Sequence, residues 1–145
     1  MFRDFENNMK YDQILDPAVA TAGTDCTSVD LLGYEGVTFL AMVGESGDTL
    51  SGSVYAELEV EDSADDSTFA DCADALITNS VTGNNTGTFG KIDAAAEDDA
   101  VFVTTYKGPK RYVRPVLSLT GTHSNGIPVG VVAIRFGAAT KPVSN

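Results

Sequence analysis

The chain has no tryptophan, one histidine and two cysteines, and each scarcity removes a class of chemistry. A Ser–His or Cys–His nucleophile pair would rest wholly on His123, since no second imidazole exists. With no other histidine and no cysteine nearby, His123 is not expected to hold a metal. Cys26 and Cys72 have the spacing of neither a redox pair nor a zinc site, so they read as two small buried hydrophobes, with a mutual disulfide as the alternative. Long apolar runs are missing too. The stretch from Gly36 to Gly44 falls far short of the roughly 20 residues a membrane helix requires. The acidic N-terminus lacks the basic and apolar regions of a signal peptide, and a soluble chain with no membrane partner is expected. Gly83-Asn-Asn-Thr-Gly87 is not followed by Lys-Ser/Thr, which leaves a phosphate-binding loop unsupported. No cofactor is expected.

Positive charge is scarce and unevenly placed. The net charge is −12, yet all 21 acidic residues lie at or before Asp99. Residues 1–99 sum to −18 and residues 100–145 to +6. A phosphate backbone would repel the dominant acidic part, so nucleic acid is not an expected partner. The split has two readings: two solvated faces, or a surface that docks on an oppositely charged neighbour. For the second, Lys107, Lys110, Arg111 and Arg114 are the basic candidates. Glu57, Glu59, Glu61, Asp62, Asp65 and Asp66 are the acidic ones, within or between molecules. The acidic run suggests calcium, but it lacks the central Gly and terminal Glu of a helix-loop-helix calcium loop and reads as a solvated loop with one helical turn. Close carboxylate pairs arise by chance in so acidic a chain, and none is singled out for acid–base work. A non-enzymatic protein is expected.

What is present is β-forming sequence. At 145 residues the chain is sized for one domain, and Val, Ala, Thr and Gly suit thin β layers. Ser53 to Glu61 alternates most clearly: Val54, Ala56, Leu58 and Val60 point one way, and Tyr55, Glu57, Glu59 and Glu61 the other. Thr27–Leu32, Val37–Val43, Phe89–Ile92 and Ala100–Tyr106 are further strands. Thr105 to Phe136 reads as a long terminal hairpin, two apolar strands around the turn residues Gly121 to Gly126. Pro115 within its first strand cannot donate to a ladder and marks an edge or a bulge. The expected core comprises Val37, Phe39, Val54, Leu58, Val60, Val101, Val103, Val113, Leu117, Val131 and Ile134.

Residues 1–25 show no sustained period and read as an extended N-terminal arm preceding a domain over 26–145. Phe2, Phe5, Tyr11, Ile14 and Leu15 are costly to leave in water and should seek a groove, on this domain or on a neighbour. A carbohydrate-binding sandwich is a competing reading, with Tyr34, Tyr55, Tyr106 or Tyr112 offering rings to sugar faces.

The order of Ile14-Leu-Asp-Pro-Ala-Val19, Ser28-Val-Asp-Leu-Leu-Gly-Tyr-Glu-Gly-Val-Thr-Phe39, Glu61-Asp-Ser-Ala-Asp-Asp-Ser-Thr-Phe69 and Lys110-Arg-Tyr-Val-Arg114 resembles a group of small tailed-bacteriophage virion proteins. The resemblance spans nearly the whole chain and is structural, carrying no catalytic residues. It implies an all-β, jelly-roll-like single sandwich that acts as a capsid cement or decoration protein on the outside of the head. It further implies contact with the major capsid protein and homo-oligomers, with trimers favoured. A head-to-tail adaptor or a fibre-base protein would share the same features.

Overall fold

Apolar residues at every second position bury one face of a strand, and in this chain they do so on the longer strands of a ten-stranded fold. The computed structural model describes residues 4–82 and 84–145; Phe2 lies outside the described residues. The strands are β1 (Lys10–Ala20), β2 (Thr24–Asp25), β3 (Val29–Asp30), β4 (Gly36–Val43), β5 (Tyr55–Ser63), β6 (Ala70–Asp71), β7 (Thr88–Ile92), β8 (Ala100–Tyr106), β9 (Tyr112–Thr120) and β10 (Ile127–Phe136). Among the described residues the only helical element is a 3-10 turn at Asp74–Leu76.

Every pairing is antiparallel. The first sheet runs β1-β10-β4-β8. The second is built on β9 and β5, with β2 and β3 along the free side of β9, and β6 and β7 along that of β5. Taking β2 and β3 as one interrupted strand, and β6 as an addition, the main strands visit the sheets in the order first, second, first, second, second, first, second, first. That is a jelly roll, two sheets wound from Greek keys. Val37, Phe39, Val131 and Ala133 of the first sheet meet Leu58, Val60, Val113 and Leu117 of the second in the interior, all of them buried.

Four expectations change. The terminal hairpin is not one. Both strands form, but β9 pairs with β5 and β10 pairs with β1 and β4, so Gly121 to Gly126 arches from sheet to sheet. Gly121 and Gly126 take positive φ in this arch, and the Asp48 carboxylate accepts the backbone N–H groups of Asn125 (3.1 Å) and Gly126 (2.7 Å), pinning it to the loop before β5.

The arm, too, is largely a strand. β1 pairs along β10 and buries Ile14, whose carbonyl accepts Thr27 N–H at 2.9 Å. Register shifts between Gln13 and Leu15 and again between Leu15 and Ala18 break its period of two, which is why the sequence hides it.

On β8 the expected core residues Val101 and Val103 face outward, 57% and 37% exposed. The opposite parity is the buried one, with Tyr106 and Thr104 inside, and Thr104 Oγ1 donating to Thr78 O at 2.6 Å. Ile134 also lies on the outer parity of β10 and is half-buried, as is Val54, which precedes β5. Finally, Pro115 sits in the interior of the second sheet. Its carbonyl accepts Cys26 N–H at 3.0 Å, so its missing donor faces the gap between β2 and β3, where no ladder bond is needed.

Candidate functional site

Of the expected charged candidates, the outer face of the second sheet carries Glu57, Glu59, Glu61 and Arg114. Asp62 is buried on the other parity of β5, and Lys107, Lys110, Arg111, Asp65 and Asp66 lie in loops. β5 turns Glu57, Glu59 and Glu61 outward, and the register with β9 sets Glu61 opposite Arg114. Arg114 donates to Glu61 through Nε at 2.9 Å and Nη2 at 2.7 Å, reaches Asp25 at 2.9 Å, and lies 4.2 Å from the centre of the Phe69 ring. Lys110 meets the buried carboxylate of Asp62 at 2.7 Å. Arg111 grips Asp30 through two parallel bonds of 2.8 and 2.7 Å, which hold the Asp30 carboxyl down at about 2. Three of the four basic candidates are thus engaged within the chain. Arg114 of β9 and Lys110 just before it meet acids of β5, and Arg111 meets Asp30 of β3, so half of the six basic residues after residue 99 are paired in this region within the chain. Lys107 is exposed and has no ion pair among the described residues.

The acidic candidates divide further. Asp65 accepts Ser63 Oγ and the N–H groups of Ser67 and Thr68 at 2.8–3.0 Å, bonds that draw its carboxyl well below the usual range. Asp66 has positive φ and accepts Ser28 Oγ. Glu57 and Glu59 are buried although they point outward. Burial raises the Glu59 carboxyl; Asn85 Nδ2, donating at 3.0 Å, opposes the shift, and Asp71, Glu57 and Glu61 add to it.

Of the apolar candidates near the N-terminus, Ile14 belongs to the core and Leu15 packs half-buried against it, while Tyr11 and Phe5 are exposed. Among the tyrosines, Tyr106 is buried, and Tyr34, Tyr55 and Tyr112 each carry a cation over the ring: Arg135, Lys91 and Arg111, at 4.6, 4.7 and 5.0 Å. His123 is buried in the β9–β10 arch with Nε2 donating to Thr120 O at 3.0 Å. Cys26 and Cys72 are buried free thiols, both pushed up to about 12 by burial. An acidic cleft of about 550 Å³ lies at the same end as the arch, lined by Glu45, Asp48, Asp98 and Asp99 among others. Among the described residues no three His, Cys, Asp or Glu side chains are arranged to hold a metal ion.

The outer face of the first sheet has a different character. Its ladder rows read Tyr11, Ile134, Thr38 and Thr105; then Gln13, Val132, Leu40 and Val103; then Gly130, Met42 and Val101, with Val19 beside Pro128 at the end. No side chain on these rows is charged. Asp16, in the β1 bulge, touches the margin through Gln13 Nε2. Met42 is 43% exposed and Val19 59%, and Pro17, Val19, Met42 and Pro128 line an apolar groove of about 560 Å³. Gly130 lines that groove beneath Pro17, whose Cγ would stand 3.0 Å from a β-carbon at that position.

Reading the sequence for one buried face per strand missed this surface. The available signal was that β4 and β10, as Val37-Thr-Phe-Leu-Ala-Met-Val43 and Val129-Gly-Val-Val-Ala-Ile134, are apolar on both parities. Such runs normally mark strands covered on both faces. No protein-family model matches the chain, and no curated protein does either.

Proposed function

We propose that this chain is a non-enzymatic virion structural protein that binds the outer surface of a tailed-phage capsid and stabilises it by bridging major capsid protein subunits. The observation that carries the reading is the outer face of the first sheet. An acidic protein, net −12, turns outward a sheet face whose rows carry no charge and are mostly apolar, with Gln13, Thr38 and Thr105 the polar members, the kind of contiguous patch that marks contact with another protein. The jelly roll adds support at the level of fold analogy, since shell proteins recur on it among other functions. The four resembling segments add support of the same associative kind. On this reading the chain is folded in the host cytoplasm and ends on the capsid surface.

The test is co-sedimentation with shells of the cognate major capsid protein that lack this chain, together with the melting temperature of the shells. Saturable binding and a raised shell melting point are expected. Recovery of all the protein in the supernatant at micromolar concentration rejects the proposal.

A further inference from the structure

We infer that in the free chain, away from shells, the outer face of the first sheet is covered by the same face of a second copy, in a two-fold symmetric dimer that shell binding must displace. The inference rests on reading that face as a protein-binding surface and goes beyond it by naming the occupant.

Charge is the first argument. Each copy carries −12, so two copies repel wherever their acidic surfaces approach. The first-sheet rows carry no charge, and the acidic second-sheet faces would point away from each other in a face-to-face pair.

Relief is the second. A two-fold axis along the strands, between β10 and β4, lays β8 of one copy over β1 of the other. The projecting Val101, 57% exposed, then meets the groove lined by Gly130 and Pro17 at the same height along the strands. Knob and groove lie on opposite sides of the axis, as a self-complementary interface demands. Sheets packed in this way stay within about 30° of alignment.

Area is the third. Four strands spaced about 4.8 Å apart and about eight residues long at about 3.4 Å per residue give roughly 500 Å² in plan. Two such faces bury about 1,000 Å², the lower bound for a specific interface, which points to a reversible dimer.

The experiment is light scattering after size exclusion, with sedimentation equilibrium, on the full chain without shells. A concentration-dependent rise from 15.2 kDa to twice that mass is expected. Association should tighten as salt rises from about 0.1 to about 1 M, because the screening length falls from about 10 to about 3 Å while apolar contact persists. Val101→Asp/Val103→Asp should weaken association at least tenfold with an unchanged circular-dichroism spectrum, because both side chains are exposed in the monomer. Val19→Asp, on the groove side, should do the same, whereas Leu32→Asp, at the 67% exposed loop position away from the sheet, should not. A wild type that stays monomeric at every salt concentration overturns the dimer, as does equal loss in Leu32→Asp. If that monomer still bound shells, the shell proposal would stand and the face would belong to the major capsid protein.

Discussion

Tyr106 donates its hydroxyl to Asp62 Oδ2 at 2.7 Å, inside the sandwich, joining β8 of the first sheet to β5 of the second. Both residues are buried, and the other oxygen of Asp62 takes Lys110 Nζ at 2.7 Å. Gly108 leaves room for the hydroxyl, since a β-carbon there would collide with it. Burial first, and then the neighbouring Asp62 carboxylate, hold the phenol protonated well above its ordinary range.

Tyr106→Phe should therefore destabilise the protein by about 1–3 kcal/mol, the cost of leaving a buried carboxylate oxygen without its donor. Lys110→Met leaves the other oxygen of the same buried carboxylate without its cation and should cost at least as much. Urea unfolding of both variants and of the double variant measures the difference. A smaller loss from Lys110→Met would mean that water replaces the ammonium and that the interior bond sustains Asp62.

Glu59 makes stability depend on pH in a defined direction. Its folded carboxyl is raised, so the folded state holds its proton more tightly than the unfolded chain, and ionisation at neutral pH works against folding. Glu59→Gln keeps an acceptor for Asn85 and removes the desolvated charge. The variant should melt about 2–4 °C higher than wild type at pH 7, and the gap should close as pH falls through the raised carboxyl. Asp30 works oppositely. Its carboxyl is lowered to about 2, so its contribution is present above the ordinary carboxylate range near 3.9 and is lost as pH falls from about 4 to about 2. Melting curves at steps from pH 7 to pH 3 check both signs, and a Glu59→Gln gap that widens on acidification would reverse the first.

Removal of residues 1–20 takes away β1, exposes one side of β10 and deletes Ile14 from the core. Loss of cooperative thermal unfolding is expected. Removal of residues 1–8 alone leaves β1 whole and should shift the melting temperature by only a few degrees. Circular-dichroism melts distinguish the two truncations, and a cooperative melt for the longer one would return β1 to the status of a dispensable arm.

What the sequence made legible was whatever a period of two encodes within one strand. Leu58 and Val60 of β5 are buried as their alternation with Glu57, Glu59 and Glu61 demands. β8 was ambiguous because Val101 and Val103 compete with Phe102 and Tyr106, and one step of register moves every side chain to the other face. β9 and β10 were each read correctly as strands, but neighbours in sequence need not share a sheet, and a six-residue arch resembles a hairpin loop in composition. The candidate charges were legible as charges. Their partners were not, because Arg114 meets Glu61 only through the pairing of β9 with β5, a relation between strands that no local pattern contains.

The placement of β9 and β10 has a consequence for how the protein is made. Each is an interior strand of its sheet, β10 between β1 and β4 and β9 between β5 and the β2–β3 edge, yet in chain order they follow every other strand of the sandwich. Until they emerge, β1 and β4 have no common neighbour, and neither do β5 and the β2–β3 edge. The nascent sandwich must stay an acidic, unclosed precursor while β1 to β8 emerge, and it can close only once residues 112–136 are available. Its high negative charge serves that interval as well as the finished molecule, keeping unpaired strands of different chains apart while none of them can yet close.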